Sequence, residues 1–229
     1  MDFFENSVFF GVTISLLAYG AGCLLRKKFK KDIFNPLLIS IAAVIIVLLT
    51  AHIDYEVYYS GAKYLSYLLT PATVCLAVPL YEKIELLKEH WIAILAGIIS
   101  GVVTTLLCVL VLSLLFGLSH EEYVTLLPKS ITTAIGMGVS EELGGYVTIT
   151  VAVIIITGVL GSIMAPFICR LFRIKDPIAR GIAIGTASHA MGTSKAMEMG
   201  EIEGAMSSLS IVVSGLLTVI GAPIFAEFF

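Results

Sequence analysis

The chain has 229 residues, 58% of them hydrophobic and 14% charged, with a formal net charge of −3 and a mean hydropathy of +1.01. A soluble domain carries about 25% charged residues, so this composition excludes an ordinary globular domain, and no basic excess points to nucleic acid. The apolar residues run in continuous blocks instead of alternating, which indicates membrane helices and not a β-barrel.

About 20 apolar residues cross a bilayer core. In chain order the predicted spans are 6–25, 35–53, 63–80, 91–117, 143–169 and 203–227, with two less apolar stretches at 123–140 and 178–200. The start, MDFFENS, is acidic, so residues 6–25 read as a retained first helix and not a cleaved signal. Polar intervals are too short for a soluble domain. The expectation is an all-α polytopic membrane protein, one integral membrane domain over residues 1–229, with six to eight membrane segments. Cys23, Cys75, Cys108 and Cys169 are too scattered for a metal site or a disulfide framework.

Lysine and arginine set the orientation. "RKKFKK" (26–31) holds five of the fourteen basic residues and is expected in the cytoplasm, leaving the N-terminus outside. A second basic loop, "RLFRIKDPIAR" (170–180), should also lie inside. That requires 123–140 to dip into the membrane and return to the side it came from. Pro128 and Lys129 at its middle suit a broken or re-entrant element. The stretch 178–200 is then a second broken or re-entrant element that enters from the opposite face, and two such elements are the pattern of an inverted-repeat, elevator-like transporter. A faint self-similarity at an offset of 57, "LTPATVCLA" against "LLPKSITTA", does not itself demonstrate inversion. Pro71 and Pro79 either break the third span, letting Thr70 and Thr73 join a site, or only kink it.

Three places carry candidate chemistry. Lys129 follows a proline and precedes Ser130, Thr132 and Thr133. An ammonium at membrane depth is costly unless paired or wetted. It either faces a small anionic substrate or snorkels to the surface from a shallow element. Glu141 and Glu142, before Gly144 and Gly145, form either a wet hinge or a proton- or sodium-coupling pair. In "GTASHAMGTSKA" (185–196), a helix places Thr186, His189 and Thr193 on one face and Ser188, Gly192 and Lys195 on the next. Such small residues let helices pack closely, but His189 among hydroxyls also suits a lined cavity that binds a carboxylate or relays a proton. Lys195 precedes Glu198, Glu201 and Glu203, and equally well ends a helix in an ion pair.

No H-E-x-x-H, no G-x-S-x-G and no phosphate-binding glycine loop occurs. Neither an enzyme nor a cofactor is expected.

At "LLPKSITTAIGMGVSEELGG" and "GTASHAMGTSKAMEMGEIEGAMSSLSI", with "NPLLI" and "LTPATVCLAVPLY" upstream, the whole chain closely resembles the LrgB/CidB family. Ala134 and Gly136 depart from the family's usual pattern, which bears on the local bend more than on the chemistry. The resemblance implies a bacterial inner-membrane protein that works beside a small holin-like partner of the LrgA/CidA type. It implies an antiholin-like role in murein hydrolase regulation and lysis. It also implies transport, because a plant relative is a plastid glycolate/glycerate translocator and bacterial members are linked to small carboxylates such as pyruvate. The resemblance places Lys129, Ser130, Thr132, Thr133, Ser188, His189, Gly192 and Thr193 in signature motifs, without fixing which contact substrate.

The expected function is therefore a carrier of small organic acids such as glycolate, glycerate, pyruvate or lactate, coupled to protons or sodium if coupled at all. His189 is the better proton candidate, with Glu141 and Glu142 as alternatives, and a homodimer is expected. The competing reading is an antiholin-like regulator without a saturable site.

Overall fold

The computed structural model describes residues 9–29, 34–75 and 77–229. Every regular element among them is a helix. The chain divides into two compact units, 1–75 and 76–229.

The first unit holds α1 (Phe10–Phe29), α2 (Pro36–Thr50), α3 (Tyr55–Ser66) and α4 (Leu69–Cys75). α1 ends on Arg26, Lys27 and Lys28, where the partial negative charge of a helix C-terminus favours cations. Asn35 caps α2, its Oδ1 accepting from the Leu37 N–H at 2.9 Å. Glycines set the close approaches: Gly22 lies against Pro36, and Gly11 against Tyr58 and Ala62. The Ser15 hydroxyl meets the Tyr58 hydroxyl at 2.9 Å.

The second unit holds α5 (Ala77–Glu82), α6 (Ile84–Phe116), α7 (His120–Leu126), α8 (Thr133–Glu142), α9 (Val147–Leu171), α10 (Pro177–Met199) and α11 (Glu201–Ala226). Among the described residues, α6, α9 and α11 are long and apolar enough to cross a membrane. Their buried residues form stripes. On α6, Ile94, Ile98, Val102, Leu106, Val109 and Ser113 recur every three or four positions, the spacing of one helix face. Apolar residues such as Leu107, Leu114 and Phe116 remain exposed on the other face, as a lipid-facing surface requires.

The predicted span at 63–80 does not form. Tyr67 and Leu68 interrupt it: three-residue turns close α3, with Tyr67 N–H donating to Tyr64 O and Leu68 N–H to Leu65 O. Pro71 then sits in the first turn of α4, where a missing N–H costs nothing.

The two less apolar stretches fold back on themselves. Ser119 opens the first with a capping box, its Oγ accepting from the Glu122 N–H while Glu122 Oε2 accepts from the Ser119 N–H. α7 runs inward, residues 127–132 turn, and α8 returns. Both arms meet Thr150 near the start of α9: its Oγ1 donates to the Thr125 carbonyl at 2.9 Å and lies 2.7 Å from Ser140 Oγ. In the second stretch α10 breaks at His189. Its first arm places Gly181 against Glu203 and Met206, and its second arm places Met197 against Gly204. Both ends of α10 therefore lie at the first turns of α11.

The two hairpins are rooted at opposite ends of the unit. The Tyr123 hydroxyl donates to the Phe225 carbonyl at 2.8 Å, and the Tyr123 ring stacks on Phe229 at 4.7 Å. The first hairpin thus lies beside the end of α11, and the second beside its beginning. Lys83 and Glu201 pair at 2.9 Å at that second end.

Candidate functional site: two hairpins on one helix

Hairpin 1 (α7 and α8) carries its tip at 127–132. Short turns build it, with Lys129 N–H donating to Leu126 O and Ile131 N–H to Pro128 O. Lys129 is half-buried, and its Nζ donates to the Ser130 hydroxyl at 3.1 Å. Ser130 is buried. Thr132 is the N-cap of α8 and Thr133 its first residue, so the positive end of the α8 dipole points at the tip. The root is tied by polar bonds. The Tyr146 N–H donates to Thr125 Oγ1 at 2.8 Å, and the Tyr146 phenol donates to the Glu121 carboxylate. That bond and the carboxylate's charge hold the Tyr146 phenol above its usual range.

Hairpin 2 (α10) turns at His189, whose φ of 42° and ψ of −141° place a non-glycine residue in a strained region. The fold holds it there. His189 is buried, and its Nε2 meets the Ile154 carbonyl of α9 at 3.0 Å. A carbonyl only accepts, so Nε2 carries the proton. Ser188 is buried against Gly161, and Gly192 packs on Ser188 and Ile184 across the turn. Thr193 Oγ1 donates to the His189 carbonyl at 3.0 Å and lies 2.7 Å from Ser207 Oγ of α11.

The break at His189 overturns the expected face of Thr186, His189 and Thr193, because a shared face needs one continuous helix. Thr186 lies instead on the first arm, against Gly101 of α6, and Thr193 on the second, against α11. The same break puts Ser188 on the first arm and Gly192 and Lys195 on the second, with Gly192 packing on Ser188 across the turn. Lys195 pairs with Glu198 at 3.3 Å. Glu141 and Glu142 are exposed at the root of hairpin 1, away from both tips. The side chains of Thr70 and Thr73 lie outside the described ones.

One helix receives both hairpins. Gly136 of hairpin 1 lies against the Ile154 side chain, and His189 bonds the Ile154 carbonyl. Gly158 and Gly161 admit His189 and Ser188. A glycine is needed at both: a Cβ at Gly158 would stand 2.6 Å from His189 Nε2, and one at Gly161 would collide with Ser188 Oγ. Sequence reasoning missed these α9 residues, and the spacing of Gly158 and Gly161 in an otherwise bulky apolar run was the available signal. A separate groove of about 550 Å³ runs between α6 and the first arm of α10, lined by small residues such as Gly97, Gly101 and Ala183.

The sequence pattern of the LrgB-like family matches residues 15–228. The chain belongs to the LrgB-like family. Its LrgB relatives include the "Antiholin-like protein LrgB" of Bacillus cereus (strain B4264) and that of Bacillus anthracis (strain CDC 684 / NRRL 3495). Each is 38% identical over 221 residues, covering 96% of both chains. No solved structure matches the chain.

Proposed function

We propose that this LrgB-family membrane protein is antiholin-like in its cellular role and that its molecular activity is the movement of small carboxylates across the bacterial inner membrane. The relatives' names favour the first half of that reading. The second half rests on two hairpins rooted at opposite ends of the unit that pack on one stretch of α9, one through Gly136 and the other through His189, with an ammonium in one turn and an imidazole in the other. A scaffold that only packs gains nothing from such groups at membrane depth, where they are costly.

In this reading Arg170, Arg173, Lys175 and Arg180 mark the cytoplasmic face. Hairpin 2 enters from that face and hairpin 1 from outside, and "RKKFKK" is cytoplasmic with the N-terminus outside. The arrangement is that of an inverted-repeat carrier with a midplane site. Lys129, Ser130 and the start of α8 meet the carboxylate from one side. Ser188, His189, Gly192 and Thr193 line the other. Nδ1 of His189 is the ring nitrogen left to take a proton, which makes His189 the coupling residue. Glu141 and Glu142 at the root serve as a wet hinge. A holin-like partner of the LrgA/CidA type and a homodimer belong to the same proposal.

Uptake of labelled pyruvate into proteoliposomes, with the holin-like partner present or omitted, tests it. Saturable uptake by the chain alone supports a carrier. Uptake only with the partner makes the chain an accessory.

A further inference from the structure

At an offset of 60 residues hairpin 1 and α9 share scattered identities with hairpin 2 and α11. Without a gap, Thr133 meets Thr193, Met137 meets Met197, Glu141 meets Glu201, Gly144 meets Gly204, Val153 meets Val213 and Gly161 meets Gly221. The contacts obey the same register. In hairpin 1, Glu121 bonds Tyr146 and Thr125 bonds Thr150. Adding 60 to each gives Gly181 with Met206 and Gly185 with Ser210. Both of those pairs are in contact: a Cβ at Gly181 would lie 2.7 Å from Met206 Cβ, and one at Gly185 would lie 2.7 Å from Ser210 Cβ. The two pairs lie on successive turns of one helix–helix seam, beside closer contacts of Gly181 with Glu203 and of Gly185 with Ser207, and together they fit this offset. The polar bonds of one root are replaced by close glycine packing in the other.

In this register Lys129 falls on His189. Each follows the inward arm and precedes the returning one. The only residues that carry a basic nitrogen in either turn are thus at the same position. A small anion lying between two oppositely oriented copies meets each copy's tip once, together with the N-terminus of each returning arm.

We propose that residues 121–161 and 181–221 are two oppositely oriented copies of one hairpin-plus-span unit, and that one small carboxylate bridges Lys129 and His189 at their equivalent tips. The anion rests on the carrier reading; the duplication does not.

Two experiments separate these parts. Single cysteines at Glu141 and Glu201, with the four native cysteines replaced by alanine, are labelled with a membrane-impermeant maleimide. Equivalent positions in inverted copies label from opposite faces. If instead both stretches crossed the membrane, these two cysteines would label from the same face, and that result overturns the proposal. The second experiment compares labelled-pyruvate uptake by Lys129→His, His189→Lys and the double exchange. Each single variant loses roughly tenfold or more, the worth of one charge-assisted hydrogen bond, and the exchange restores most of the uptake. An exchange no better than the single variants, with labelling intact, overturns the equivalence of the tips. Opposite-face labelling with no uptake by the native chain sinks the carrier reading and the bridging anion but upholds the duplication.

Discussion

His189 Nε2 stands 3.0 Å from the carbonyl oxygen of Ile154, a residue thirty-five positions earlier. This bond fixes the tip of one hairpin to the middle of a spanning helix. It also holds the strained backbone at His189. Replacing His189 by alanine removes the bond and leaves the unfavourable φ. We expect a loss of about 1 kcal/mol of stability, read as lowered thermal stability in detergent. His189→Asn, which keeps a donor and tolerates a positive φ better, should lose less.

The glycines of α9 make room for that tip. A side chain at Gly158 or Gly161 meets His189 or Ser188. Overpacking of this kind costs about 1–3 kcal/mol. Gly161→Val should therefore destabilise the protein and reduce uptake together. Gly138, which has nothing near its missing Cβ, is the control. Gly138→Ala should raise stability by about 0.5–1 kcal/mol, because glycine is the poorer residue inside a helix.

Thr150 ties both arms of hairpin 1 to α9. Valine keeps the shape and removes the hydroxyl, leaving buried polar groups short of a partner at a cost of about 1–3 kcal/mol. The effect should be local. Amide exchange should accelerate over residues 120–142 in Thr150→Val, while α10 keeps its protection. Uniform acceleration across the second unit would contradict a root that belongs to one hairpin.

The positions of the two hairpins were legible for an electrostatic reason. Placing Arg170, Arg173, Lys175 and Arg180 on the cytoplasmic side requires 123–140 to return the way it came, and its proline and lysine agree with that. The third span was half legible. Residues 63–80 are apolar enough to cross and Pro71 offered a break, but hydropathy does not register the turn at Tyr67 and Leu68 that stands just before it. The site was half legible. His189 and Lys129 stood out as polar groups in an apolar chain. The face assigned to Thr186, His189 and Thr193 assumed an unbroken helix. That stretch was expected to be broken, but the place of the break was not legible, because the His189 ring is held by a tertiary bond to the Ile154 carbonyl. Gly158 and Gly161 stood out as small residues in a bulky apolar run, but their role was not legible, since it is defined by what packs on them.

We expect a small carboxylate held by the two tips to show first in uptake of labelled glycolate, pyruvate and lactate into proteoliposomes, with and without a pH or sodium gradient, for the native chain beside Lys129→Met and His189→Ala. Saturable uptake that unlabelled acid competes away and that both variants lose puts the acid at the tips. Unchanged uptake in both variants, or an unselective leak of small solutes from correctly inserted native protein, rules it out.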